Sequence, residues 1–96
     1  MRNGIEVDDE GNKFHYVDDK LHRVDGPAIE YSDGGKEWFQ FGKRHREDGP
    51  AMDFGNHRLF WYLYGEECTK KEYDVLLVSL KLYIKYANKT NDRLKS

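Results

Sequence analysis

The chain has little of several features that would identify a protein class at once. It contains one cysteine, Cys68, in 96 residues, so an internal disulfide is excluded and a reducing compartment is favoured. No apolar run approaches the roughly 18 residues of a membrane span, and the first residues lack the apolar segment of a secretory signal. The net charge is only −2, which argues against a strongly basic nucleic-acid binder. We therefore expect one cytoplasmic domain, residues 1–96, without a membrane partner.

The two prolines of the chain mark an internal repeat. Pro27 and Pro50 lie 23 residues apart, inside the stretches HRVDGPAIEY and HREDGPAMDF. The similarity continues downstream through paired aromatic residues, and residues 1–21 form a degraded half copy, followed by two full units over residues 22–68. The repeated motif comprises His22, Arg23, Asp25, Gly26, Pro27, His45, Arg46, Asp48, Gly49 and Pro50.

Each unit carries a short β-prone segment, a turn and a longer aromatic segment. Asp33-Gly34 between two alternating runs predicts a hairpin, because these residues tolerate a positive φ. Proline lacks an N–H and fits the first residue of a strand better than its middle. These features predict an antiparallel meander with strands near residues 13–18, 27–31, 36–41, 50–54 and 58–64.

The pattern changes after Cys68. The segment TKKE forms a capping box, with Thr69 as the N-cap and Glu72 at the third helical position. The following apolar periodicity predicts one helix over residues 69–88, with a polar tail over 89–96. The fold class is therefore mainly β, with one C-terminal α-helix packed against a sheet of β-hairpin repeats.

The repeat resembles a known family. A 23-residue unit with hairpin strands, a GK-x-H corner and a following glycine is similar to the MORN repeat. The HR-x-DGPA form resembles a MORN-like variant common in bacteriophage and large-virus proteins, over about residues 10–68. The resemblance implies a hairpin-repeat fold and a role in scaffolding or binding, and the distribution of the variant suggests a phage accessory protein.

The repeated motif invites a metal or catalytic interpretation. His22, His45 and Cys68 share one repeat position, so they lie two strands apart, about 2 × 4.8 Å, which is too far to hold one ion. A hydrolase needs one nucleophile and one base in a pocket, and duplicating both along an open sheet has no obvious purpose. A structural corner explains the repetition directly, with the arginines paired to the aspartates and the glycines supplying turn geometry. We expect no cofactor, no metal site and no catalytic residues.

Surfaces are more informative. Strand alternation makes both faces of the second full repeat apolar, and the helix carries two apolar stripes on opposite sides. One stripe can pack on the sheet, whereas the other needs a partner, unless the N-terminal segment folds over it. Sheet curvature and loops could likewise bury both faces of the sheet. The candidate partner-binding residues are Trp38, Trp61, Tyr62, Tyr64, Val75, Val78, Leu82 and Tyr86.

The function expected from these features is binding without catalysis. The partner is a host protein complex that a phage protein would inhibit, as anti-defence or anti-CRISPR proteins do, and a homodimer through the C-terminal helix is also possible. Two alternatives stay open: a homo-oligomer that sequesters a small ligand or nucleotide, and a small hydrolase. Nucleic acid is disfavoured, because the basic residues near the C-terminus follow an ordinary solvated helix flank.

Overall fold

A computed structural model describes the backbone of residues 1–95 and the side-chain environments as far as Ala87. Most of the chain forms short strands, and a single long helix follows them. The elements are β1 (Gly4–Val7), β2 (Lys13–Val17), β3 (Lys20–Leu21), β4 (Ile29–Glu30), β5 (Lys36–Glu37), β6 (Phe39–Gln40), β7 (Lys43–Arg44), β8 (Met52–Asp53), β9 (Leu59–Leu63), β10 (Glu66–Cys68) and α1 (Lys70–Lys95).

The strands form an antiparallel meander. The main sheet has the order β1-β2-β4-β5-β8-β9-β10, with β3 paired to β2, and β6 pairs with β7 beside it. Every pairing is antiparallel. The helix α1 contacts β9 and β10 at one end of the sheet. The predicted fold class, an antiparallel meander with one C-terminal helix against it, is confirmed.

The repeat is visible as three copies of one tight turn. The turns that join β2 to β3, β6 to β7 and β9 to β10 each have two consecutive residues at positive φ. This is the signature of the type I′ turn, whose twist matches that of two paired strands. The residue pairs are Asp18–Asp19, Phe41–Gly42 and Tyr64–Gly65, each 23 residues from the next. Residues 1–21 therefore contain counterparts of every strand in the later units.

The predicted strands differ from the observed ones at these turns. The alternation pattern extends strands through Phe41 and Tyr64 and places both side chains on a sheet face. Both residues instead lie in turns, with φ of 51° each, because the chain must reverse before β7 and β10 can pair. The long strand expected over 36–41 is also divided, since Trp38 pairs with neither β4 nor β7 and donates its N–H to Ala51 O instead.

The core of the sheet is small. Ala28, Ile29 and Phe39 are buried together, and Phe14, Leu21 and Tyr31 pack against them. A buried carboxylate, Glu37, lies at the edge of this cluster.

Two polar side chains compensate for the burial of Glu37. The Tyr31 hydroxyl donates to Glu37, and Arg44 Nε donates to Glu37 Oε1 at 3.0 Å. Burial and the bond to Glu37 raise the pKa of Tyr31 to about 12. The charge of Glu37 is thus balanced inside the protein, as a buried carboxylate requires.

The helix begins as the sequence predicts and ends later. Thr69 Oγ1 accepts from the Glu72 N–H at 3.1 Å, and Glu72 Oε1 accepts from the Thr69 N–H at 2.9 Å, which is a capping box. The helix continues past the expected end at about residue 88 to Lys95, so residues 89–95 of the expected polar tail belong to α1. No helix in the described part of the chain is long and apolar enough to span a membrane.

Candidate functional site

The two HR-x-DGPA segments form two nearly identical corners. Arg23 Nε donates to Asp25 Oδ1 at 3.0 Å, and Arg23 Nη1 donates to Pro27 O at 3.1 Å. In the second copy Arg46 makes the same two bonds, to Asp48 Oδ1 at 2.8 Å and to Pro50 O at 3.0 Å. Each guanidinium therefore fastens a carboxylate and a carbonyl on both sides of the turn.

The glycine of each corner lies in close contact with that guanidinium. A Cβ at Gly26 would lie 2.9 Å from Arg23 Cζ, and a Cβ at Gly49 would lie 2.8 Å from Arg46 Cζ. Neither glycine has a positive φ. Glycine therefore fits the corner because it has no side chain, and not because it can adopt a positive φ.

The histidine of each corner supports the type I′ turn of its own unit. His22 Nδ1 accepts from the Phe41 N–H at 2.9 Å, and His45 Nδ1 accepts from the Tyr64 N–H at 3.0 Å. The rings also pack against each other in a tilted arrangement, with centroids 4.5 Å apart in the first pair and 4.2 Å in the second. These contacts hold two aromatic residues in the left-handed region, where a bulky side chain is otherwise disfavoured.

Cys68 occupies the repeat position that His22 and His45 occupy in the two units before it. Its thiol lies 3.6 Å from Trp61 O, and burial raises the pKa of Cys68 above its ordinary value. Among the described residues, no three His, Cys, Asp or Glu side chains lie close enough to hold a metal ion.

The helix is anchored to the second corner by one tyrosine. Tyr73 is 3% exposed, and its hydroxyl donates to Arg46 O at 2.5 Å and accepts from the Gly49 N–H at 3.4 Å. Leu63 lines one groove together with Leu76 and Leu80. The helix therefore covers the sheet face that carries Leu63 and Trp61, because these two side chains share a face of β9.

A groove of about 590 Å³ separates the two corners. Trp38 lies in it, and the Arg46 guanidinium carbon is 3.7 Å from the Trp38 ring centroid, which is a close cation–π contact. Lys81 of the helix lines the same groove, which brings three cationic side chains together with three carboxylates. The lining residues are Arg23, Val24, Asp25, Gly26, Trp38, Gln40, His45, Arg46, Glu47, Asp48 and Lys81.

The second stripe of the helix faces solvent. The side chains of Val75, Val78, Leu82 and Tyr86 are 61%, 58%, 61% and 75% exposed. The N-terminal segment does not cover them, because β1 is at the opposite end of the sheet from β9 and β10.

The eight residues predicted to bind a partner therefore fall into separate places. The four helix residues form one exposed stripe, whereas Trp38 is half-buried in the groove between the corners. Trp61 and Tyr62 are half-buried on opposite faces of β9, and Tyr64 lies in a turn. Lys81 and Tyr73, which the sequence did not assign to a site, bring the helix to the corners.

Comparison of the chain with protein-family models, with curated proteins and with solved structures gives no match.

Proposed function

We propose that this chain is a non-enzymatic protein-binding module of the MORN-like repeat type, a phage accessory protein that binds and inhibits a host protein complex. The observation that carries the proposal is the exposed stripe Val75, Val78, Leu82 and Tyr86. Four apolar side chains aligned on one helix face and each more than half exposed are unusual on a protein that acts alone.

The repeated corner supports binding more than chemistry. Its arginines, aspartates and histidines bond to the backbone and to each other in the same way in both copies, and these bonds account for their positions. The 23-residue period and the corner motif support the MORN-like assignment, and the viral distribution of that variant suggests the host complex as partner.

The test is quantitative capture from host extract with the purified chain as bait. We expect one host complex to be enriched by the wild type, to be lost with Leu82→Lys and to be retained with Tyr83→Lys. Tyr83 is a matched control because it is 72% exposed on the same helix but outside the stripe. Equal capture by all three baits, or none by any, would contradict the proposal.

The groove between the corners favours a second candidate function, the sequestration of a small anionic ligand. Trp38 lines the groove with an aromatic ring, and Lys81 offers a cationic group. The guanidinium groups of Arg23 and Arg46 already bond to Asp25 and Asp48. A nucleotide that binds there should raise the melting temperature by mass action. Melting with a panel of nucleotides, repeated with Trp38→Ala, tests this candidate, and no shift with any nucleotide would eliminate it.

A further inference from the structure

The exposed stripe of α1 is self-complementary between Val75 and Tyr86. This inference rests on the proposed function and deepens it: the stripe joins two copies of the chain, and the resulting dimer, which Leu82→Lys would separate, is the form that binds the host complex. On an ideal helix with 100° per residue, Val75, Val78, Leu82 and Tyr86 fall within about 80° of arc, directly opposite Tyr73. An interface between two copies related by a two-fold axis must match a surface with itself.

The order of residues along the stripe meets that condition. If two copies of α1 lie antiparallel with the axis near residue 80, Val78 faces Leu82 of the other copy. Val75 then faces Tyr86, and both pairings occur twice. The spacing of three and four residues between stripe positions is that of helices that pack side by side.

Charges on one flank have the same symmetry. Asp74 and Lys85 lie on the same side of the stripe, at about 100° and 120° from Tyr73. A two-fold axis near residue 80 brings Asp74 of one copy beside Lys85 of the other, again twice. Asp74 already accepts from Lys70 Nζ at 2.7 Å but remains more than half exposed, and no ion pair to Lys85 occurs within the described residues.

The four stripe side chains would form the centre of the interface. Val75, Val78, Leu82 and Tyr86 are each more than half exposed, and an aromatic side chain alone can bury roughly 150–250 Å². Specific interfaces combine such an apolar centre with a polar rim, and the polar flanks of α1 would supply that rim within the ~800 Å² per partner that specific interfaces use.

We propose that the occupant of this stripe is a second copy of the chain, packed as an antiparallel helix pair with its two-fold axis near residue 80. The pair leaves the two corners and their groove on the outer side of each copy, because Tyr73 and the corners lie on the opposite side of α1. The dimer would thus present two grooves facing away from the helix pair.

Light scattering across a concentration series tests the occupant. We expect the wild-type mass to be that of a dimer, and Leu82→Lys to weaken association by ~100-fold or more, because two lysines would be buried against apolar side chains. Tyr83→Lys should dimerise within ~3-fold of the wild type. A wild-type monomer at every concentration, or a dimer unaffected by Leu82→Lys while its helix content is unchanged, would overturn the inference.

Charge reversal tests the antiparallel register. Asp74→Lys alone and Lys85→Asp alone should each weaken the dimer by roughly 5–10-fold, because each creates two like-charge pairs. An equimolar mixture of the two variants should recover wild-type affinity as a heterodimer, since both pairs become opposite again. Absence of recovery would overturn the register.

The two proposals fail separately. A monomeric protein that captures a host complex through Leu82 would refute the second copy and keep the binding function. A dimer whose affinity recovers when Asp74→Lys and Lys85→Asp are mixed, but which captures no host protein, would refute the host partner and keep the second copy.

Discussion

At the scale of single residues, each corner depends on a glycine, because glycine has no side chain. Gly26 and Gly49 leave the space that Arg23 and Arg46 occupy, and those guanidinium groups then bond across the turn. The sequence shows the motif twice. Each glycine, however, is explained by its contact with the arginine three residues earlier, and conformational propensities do not describe that contact.

Gly49→Ala should therefore destabilise the protein by about 1–3 kcal/mol, because the new methyl group would displace the Arg46 guanidinium from its place over the corner. The free energy of unfolding from a urea titration is the measurement. In an Arg46→Ala background the same change should cost much less, since the clashing atoms are gone. Equal costs in both backgrounds would show that backbone conformation, and not the contact, selects glycine.

His15 occupies the place in the first unit that Trp38 has in the second, and its Nε2 lies 3.3 Å from Arg23 Nη1. Burial, and then the charge of Arg23, lower the pKa of His15 from its ordinary 6.5. The unfolded chain then binds this proton more readily than the folded protein does. The contribution of His15 to stability is therefore lost as the pH falls below about 6.5 and levels off below the folded pKa.

An NMR titration of the His15 ring, assigned with His15→Gln, should give a lower midpoint in the folded protein than in urea. The unfolding free energy of His15→Gln should also fall less between pH 7 and pH 5 than that of the wild type. Identical titration midpoints for the His15 ring in the folded protein and in urea would show that burial and Arg23 do not change its pKa.

At the scale of elements, Tyr73 is a polar anchor between the helix and the second corner. Tyr73→Phe removes the hydroxyl that donates to Arg46 O and accepts from the Gly49 N–H. We expect the free energy of unfolding to fall by about 1–3 kcal/mol, because the part-buried Arg46 carbonyl and Gly49 N–H both lose their bond to the hydroxyl. Tyr83→Phe, on an exposed ring, is the control and should change the unfolding free energy by less than about 0.5 kcal/mol.

Hydrogen exchange would locate the Tyr73→Phe effect. Amides of α1 should exchange faster in the variant, while those of the sheet core around Phe39 should change less, since the loosened contact joins helix to corner. Uniform acceleration throughout the chain would mean that the helix and the sheet unfold as one unit.

The elements that the sequence predicted correctly are those with a local cause. Asp33-Gly34 forms the turn between β4 and β5, and the Thr69–Glu72 capping box starts α1. The type I′ turns at Phe41 and Tyr64 were missed because an aromatic residue at positive φ contradicts its own preference. Histidines 19 residues earlier in the chain stabilise those turns, and that distance exceeds any local pattern.

At the scale of the whole molecule, helical periodicity identified the exposed stripe of α1, but the groove could not be foreseen. A stripe needs only the 100° rotation per residue, whereas the groove requires Lys81, Trp38 and both corners to meet in space. The eight candidate residues came from strand alternation and from the helix stripe, and the fold places them in the separate locations described above.

A second copy on the stripe makes stability depend on concentration. Each tenfold increase in protein above the dissociation constant adds about 1.4 kcal/mol per mole of dimer, or about 0.7 kcal/mol per chain. For a domain of this size that raises the melting temperature by roughly 3–6 °C. We expect this rise for the wild type and for Tyr83→Lys, and a constant melting temperature for Leu82→Lys, because only the last variant has lost the face on which the two helices meet. A wild-type melting temperature that stays constant over two decades of concentration would mean that the exposed stripe adds nothing to stability in the isolated protein and serves a different partner.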